Sequence, residues 1–297
     1  LSTGSQPLDA ERRADFLARA EDLRPELHRY CARLMGSVIE GEDVVQDTLA
    51  RAVVALQESG EPAALRAWLF RIAHNRAMDV LRGRAFRDSE PIEAASAIAD
   101  PNPEPMETLM QREAIKTAVS RFTELPTVQR SIVILKDVLD EPLADIARLL
   151  DVSVDSVKAH LARGRARLRE INARIPSPTA DRTHSNDVSR YVTLFNQHDW
   201  DGLRALLADD VKLQQSSHAV RSGSKDVGGF FGKYAKIDGI RLAPAWLEGR
   251  EVIAVFEHKD TPSPAYFMWL KWRDGRIVFI RDYRYDRYVM RDAELKI

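Results

Sequence analysis

Between residues 174 and 185 the hydrophobic period of the chain changes, and no single layer of structure accommodates both halves. Before this point apolar residues recur every three or four positions, as in Leu27, Tyr30, Cys31, Leu34 and again in Val44, Val45, Leu49, Val53. After it they alternate or run together, as in Glu251-Val-Ile-Ala-Val-Phe256 and Tyr266-Phe-Met-Trp-Leu-Lys-Trp272. The first period lines one face of a helix, and the second fits a pleated strand. Four of the five tryptophans and six of the seven tyrosines also lie beyond residue 185, where strands favour aromatic side chains. Asp274-Gly275, placed between Tyr266–Trp272 and Arg276–Arg281, is a two-residue hairpin signal. Helical segments at Asp187–Asn196 and Asp201–Ala208 precede the strands, so an α+β domain of about a hundred residues is expected after an all-helical part.

The helical part divides again. Residues 88–108 hold four prolines and six acids with no base, which predicts an extended linker. Helix breaks are expected at Gly36-Ser37, at Gly41 and across Glu58–Pro62, with Pro62 at an early helical position. In the second block, Leu109–Arg174, Pro126 and Pro142 stand as helix openers, and Pro176–Asp181 reads as another linker. The expected organisation is a helical domain at 9–87, an acidic proline-rich linker at 88–108, a second helical domain at 109–174, a linker at 175–185 and the α+β domain at 186–297. Leu1–Ser5 lacks an initiator methionine and reads as an expression remnant.

The net charge of the 297 residues is −1, but it is unevenly spread. Residues 1–63 carry −5, 64–87 carry +5, 88–108 carry −6 and 158–174 carry +5, so two short basic blocks flank an acidic connector and local potential outweighs the sum. No run approaches the roughly 18 apolar residues of a membrane span, and no signal peptide is apparent. A cytoplasmic protein is expected. Cys31 is the single cysteine, which removes internal disulfides and cysteine-cluster metal sites, and no metal or cofactor is called for.

Pro142–Leu150, Asp151-Val-Ser153 and Val154–Arg163 form the sharpest local pattern, a short helix, a tight turn and a second helix with small polar and basic residues near its start. This is a helix-turn-helix. Ser153 or Asp155 is placed to cap the second helix, with Ile146, Ala147, Val152, Val157 and Leu161 filling the angle. Ser156, Lys158, Arg163, Arg165, Arg167 and Arg169 follow as groups for phosphates and base edges. In the first basic block, Leu65–Arg82, Trp68, Ile72 and Val80 are expected among the buried residues, with Arg71, Asn75, Arg76, Asp79 and Arg82 exposed.

These motifs resemble a known family. Glu42-Asp-Val-Val-Gln-Asp-Thr48, Trp68-Leu-Phe-Arg-Ile-Ala73 and Asp79-Val-Leu-Arg82 are similar to region 2 of extracytoplasmic-function (ECF, group 4) RNA polymerase sigma factors. Leu125–Arg130, Leu143–Ala147, Ser153–Lys158 and Arg163–Leu168 are similar to region 4, and together the motifs span residues 10–174. The resemblance implies a multidomain fold of two all-α domains, region 2 and the region 4 helix-turn-helix, followed by the α+β domain. It also implies two partners: promoter DNA, and the RNA polymerase core through its beta-prime clamp helices and beta flap. Asp43, Gln46, Asp47 and Ala50 would dock on the clamp helices. Arg71, Asn75, Arg76, Asp79 and Arg82 would face the −10 element, and Ser153, Asp155, Ser156, Lys158, Arg163, Arg165 and Arg167 the −35 element. The loop Gln57–Leu65 carries no aromatic residue, a departure from many relatives that bears on −10 preference.

Tyr191–Val211 and the strands ending at Arg281 resemble the SnoaL-like cone domain, whose position in such a chain implies regulation of activity, with a small-molecule ligand as one input. Trp246, Phe256, Trp269 and Phe279 would line its pocket. His198, His218, Asp226 and Asp282 are acid–base candidates, but no spacing joins them, so no catalytic residue is assigned. Gly223–Gly232 matches no phosphate-binding fingerprint and is expected as a flexible turn leading into a helix, with Gly228 and Gly229 as regulatory candidates. Two other readings fit the same motifs, a ligand-sensing helix-turn-helix regulator and a cone-fold enzyme fused to a DNA-binding module. The segment Glu42–Arg82 separates the sigma reading from the regulator, which needs no second DNA-facing helix joined to a polymerase-docking helix, and turnover of a hydrophobic small molecule by residues 185–297 alone would favour the enzyme.

Overall fold

Glycine, serine and proline set the helix boundaries of the first half of the chain. In this computed structural model, which describes residues 10–88, 104–174, 183–216, 218–258 and 260–297, α1 (Ala10–Asp22) and α2 (Arg24–Met35) lead to Gly36, whose φ of 74° ends α2. Ser37 then caps α3 (Val38–Ser59), its side chain accepting the Glu40 N–H, as a serine before a helix should. α4 (Leu65–Asp88) is followed by α5 (Glu104–Lys116), a 3₁₀ turn (Val119–Glu124) and α6 (Thr127–Val133). α6 runs into a π-helical turn, Ile134–Val138, and Pro126 and Pro142 are the caps of α6 and of α7 (Leu143–Leu150). α8 (Val154–Ala173) closes the helical half.

Several expectations change here. Gly41 lies inside α3. A Cβ at that position would overlap the Ala32 backbone of α2, so its missing side chain lets two helices approach closely. Pro62 sits in the connection before Leu65 and outside α4. Leu65, Leu69, Phe70, Ala73 and Ala77 bury the inner face of α4, whereas Trp68, Ile72 and Val80 are only partly buried against it. α5 begins at Glu104, inside the segment expected as linker; residues 89–103 and 175–182 lie outside the described residues. The two helical blocks, expected as separate domains, pack against each other within one compact unit. A single core runs from Leu27 and Tyr30 through Phe122 and Ile132 to Leu161 and Ile171.

The second unit, Ser177–Ile297, contains α9 (Asn186–Asn196), α10 (Trp200–Ala205), α11 (Ser224–Tyr234) and a six-stranded sheet. The strands are β1 (Leu207–Gln214), β2 (Arg221–Ser222), β3 (Arg241–Leu247), β4 (Arg250–Phe256), β5 (Tyr266–Arg273) and β6 (Arg276–Asp282). Their order is β2-β1-β6-β5-β4-β3, with β1 parallel to β6 and the other pairs antiparallel. Asp274 and Gly275 have φ of 52° and 71°, and Glu248 and Gly249 have 52° and 79°. Both hairpins therefore turn through two left-handed residues, the geometry that matches strand twist. α10 is shorter than expected, because Leu207 already pairs with Ile277 of β6. Gly223, at φ 89°, is the turn that leads into α11, whereas Gly228, Gly229 and Gly232 lie within the helix, since Val227, Phe230, Phe231 and Tyr234 bury one helical face despite them.

Candidate nucleic-acid interface

The helix-turn-helix is built by its turn. Asp151 adopts φ 55° as the cap of α7, the Val152 N–H donates to the Ala147 carbonyl, and the Ser153 hydroxyl accepts the Ser156 N–H at 3.1 Å. Ser153, not Asp155, is thus the cap of α8. Ile146, Ala147, Val157 and Leu161 are buried between the helices, with Val152 half-buried. From this rigid corner Ser153, Asp155, Lys158 and Arg167 point to solvent, and Ser156 is half-buried. Lys158 lies 3.5 Å from Asp155, and Arg167 Nε donates to the Glu124 carbonyl at 3.2 Å.

Arg163 is half-buried beside His160 at 3.2 Å. Arg165 departs from the expected role: its Nη2 and Nε hold Asp137 at 2.5 and 3.0 Å, and Asp137 is 2% exposed. A guanidinium committed in this bidentate way to a buried carboxylate anchors α8 to the π-helical turn. Asp137 lies 28 residues from Arg165 in a helix whose widened turn no periodicity announces, so sequence reading missed the pair.

On α4, Arg71, Asn75, Asp79 and Arg82 are exposed and follow one another at helical spacing. Arg82 is paired with Asp79 at 2.5 Å. Arg76 is half-buried and donates to Asp47 of α3 at 2.8 Å through Nε, so a residue expected at DNA and one expected at the polymerase hold each other. Asp43 and Ala50 are exposed and Gln46 half-buried on the same stripe of α3. Glu42 turns inward, where Arg24 donates to it at 2.5 Å. Beneath α4 the Tyr30 hydroxyl meets His74 Nδ1 at 2.7 Å; burial, with the nearby Arg82 charge, lowers His74 to about 4 and keeps it neutral.

Sequence reading also missed what joins the two basic regions. Arg66 donates to Glu26 at 2.5 and 3.1 Å, forms an ion pair with Glu141 ahead of α7, and lies 4.8 Å over the Phe70 ring. Arg130 donates to the Leu34 carbonyl at 2.8 Å. Between α4 and α7 a cleft of about 500 Å³ is lined by Pro62, Trp68, Phe70, Leu135, Ile146 and Leu149.

In the second unit the acid–base candidates do not converge. His198, at φ 59°, lies at the α9–α10 boundary, where Asp199 caps α10. His218 stacks on Tyr285, and Asp226 is in the first turn of α11. Asp282 is buried alone of the four, accepting from Gln215 at 2.7 Å, Tyr234 at 3.4 Å and the Arg284 N–H at 3.0 Å. Burial pushes its carboxyl up to about 6. Tyr234 meets Tyr266 at 2.8 Å, and the Tyr191 hydroxyl nearby is buried. The four aromatics expected around one pocket are dispersed: Trp246 stacks on His184, Phe256 is covered by Arg241, and Trp269 meets Phe279. Trp246 and Arg241 alternate along β3 and so face opposite ways. Gly228 sits against the Arg204 side chain, and Gly229 has open space around it.

Family models match sigma-70 region 2 at residues 20–87, sigma-70 region 4 at 119–168 and a SnoaL-like domain at 188–280. The ECF RNA polymerase sigma factor SigG of Mycobacterium tuberculosis is 32% identical over 231 residues, which are 68% of this chain and 61% of SigG; the chain thus spans under two thirds of that relative. SigM of the same species is 32% identical over 146 residues, 49% of this chain and 71% of SigM. The crystal structure of the M. tuberculosis extracytoplasmic function sigma factor SigJ aligns with 20% identity and a TM-score of 0.35, covering 89% of this chain and 95% of that one. Among the described residues no helix is long and apolar enough to cross a membrane. With both sigma regions matched in order and SigM, at 32% identity, covered over 71% of its length, the chain belongs to the family of ECF sigma factors and carries a C-terminal SnoaL-like domain.

Proposed function

We propose that the protein binds RNA polymerase core in the cytoplasm and directs it to promoters, reading the −35 element with α8 and the −10 element with α4. The observation that carries this reading is the pairing, in one chain, of a rigid helix-turn-helix with a second basic helix beside the acidic stripe of α3. Ser153, Asp155, Ser156, Lys158, Arg163 and Arg167 take the −35 role, with Arg165 acting through Asp137 to fix α8. Arg71, Asn75, Asp79 and Arg82 take the −10 role, and Asp43, Gln46, Asp47 and Ala50 meet the polymerase, Arg76 joining the two sets. Such a factor does no covalent chemistry, and its binding energy favours the opened promoter by population shift. The SnoaL-like domain tunes this activity without turnover.

The two elements are, by their names, about 25 base pairs apart, roughly 85 Å along B-form DNA. A compact unit of this length is only about 40 Å across, and α4 and α7 share a cleft within it. Region 4 must therefore leave region 2 before both elements are held. Transcription by purified bacterial core polymerase on a pool of candidate promoters tests the function, using the full chain and a fragment ending at residue 178. Specific initiation supports the sigma role, and the ratio of the two constructs' activities gives the sign of C-terminal control. Duplex binding without core binding or initiation by either would instead support a ligand-gated regulator.

A further inference from the structure

One face of the sheet in the second unit holds aromatic and cationic side chains that neither the core nor promoter reading uses. Trp269 of β5 and Phe279 of β6 are half-exposed and meet edge to face, with centroids 6.1 Å apart. Lys271 lies 4.8 Å from the Trp269 ring and 5.5 Å from the Phe279 ring, and Arg250 of β4 lies 5.6 Å from Trp269. Lys212 of β1, in register with Phe279, carries the row to another strand. Lys212 and Lys271 are exposed. Asp210, two residues from Lys212, is already paired with Arg273 at 2.7 Å.

The pattern selects among ligands. An acidic protein surface needs the cations but not two indole- and phenyl-sized rings kept partly in water, and an apolar partner has no use for the cations. A nucleotide chain offers a flat π face and a phosphate at every step, and base stacking on aromatic side chains tolerates any sequence. Duplex DNA hides those faces in its own stack, so the match is to unpaired strands. We propose that this face binds single-stranded nucleic acid, with Trp269 and Phe279 stacking on bases while Lys212, Lys271 and Arg250 swing to phosphates. Such contacts lie outside both promoter-reading helices and would hold a strand that region 2 leaves unpaired, or an RNA.

The test is photo-crosslinking of the full chain to a thymidine oligonucleotide carrying photoreactive bases, with crosslinked peptides located by mass spectrometry. Crosslinks are expected in residues 266–281 with single strands and not with the matching duplex. Trp269→Ala combined with Phe279→Ala should lower them about tenfold or more while leaving any crosslinks within residues 10–173 unchanged. Lys271→Glu, at an exposed position that leaves the rings in place, should lower them several-fold in a circular-dichroism-verified fold and flatten their salt dependence. Capture of oligouridine as well supports the same site and identifies RNA as an accepted strand. Crosslinks missing from residues 266–281, equal with duplex, or unchanged in Lys271→Glu overturn the proposal, as does a face occluded by a second copy in sedimentation.

Discussion

Asp282 is a buried carboxyl that holds its proton more tightly folded than unfolded. Its ordinary value is 3.8, and burial raises it to about 6. Between these values the native state binds more protons than the unfolded one, so this residue's contribution to stability falls as pH rises from about 4 to about 6 and stays lost above. At neutral pH the ionised form costs roughly 2–3 kcal/mol. Asp282→Asn keeps the shape and an acceptor for Gln215 without the charge. The variant is expected to melt higher than wild type at pH 7 and equal to it near pH 4. Since four of the five tryptophans lie beyond residue 185, tryptophan fluorescence reports this unit's melting; a gap between the proteins that does not close towards pH 4 would refute the assignment. The Arg165–Asp137 pair behaves oppositely, because removing one partner strands the other. Asp137→Ala should cost about 3 kcal/mol or more and weaken −35 binding in proportion, read by denaturant unfolding and by fluorescence anisotropy with a duplex.

At the scale of elements, what is legible in sequence is what local chemistry decides. The helix-turn-helix, the paired Pro126 and Pro142 openers and the Asp274-Gly275 hairpin depend on a few adjacent residues and were readable. Gly41 was misread as a break because its purpose, contact with Ala32 of α2, is tertiary. The glycines of α11 misled for the same reason, four buried apolar residues overriding their propensity. On α4, Trp68, Ile72 and Val80, expected among the buried residues, are partly buried at the edge of the core that Leu69, Phe70 and Ala73 enter, because composition cannot tell a rim from a core. Gly41→Ala separates the two explanations. As a break in an exposed helix the change would stabilise by up to about 1 kcal/mol; against the Ala32 backbone it should destabilise by about 1–3 kcal/mol. Ser153→Ala, by contrast, removes the cap of α8 and should cost about 1 kcal/mol of stability, read as fraying of the first turn of α8 in hydrogen exchange of the free protein.

At the scale of the molecule, the first unit holds its two basic regions together with polar links, those of Arg66 and Arg130 among them, and a shared apolar core. Arg66 joins Glu26 of α2, Glu141 and the Phe70 ring, while Leu34 and Phe122 are fully buried in the common core. Separating the regions exposes that core, so the open form is a minor state unless the polymerase and DNA compensate it. Arg66 is 39% exposed at its side chain, and its ion pairs are therefore worth about 1 kcal/mol. Arg66→Ala should raise the open population several-fold without unfolding either region. Val54 on α3 and Val154 on α8 are exposed, and cysteines placed there accept a fluorophore pair, because native Cys31 is buried with its thiol pushed up by burial. Energy transfer should be high in the free wild type, lower in Arg66→Ala, and lowest with core polymerase and promoter DNA. Transfer that is unchanged on adding both would mean that region 4 stays on region 2, and the two promoter elements would then have to be contacted one at a time.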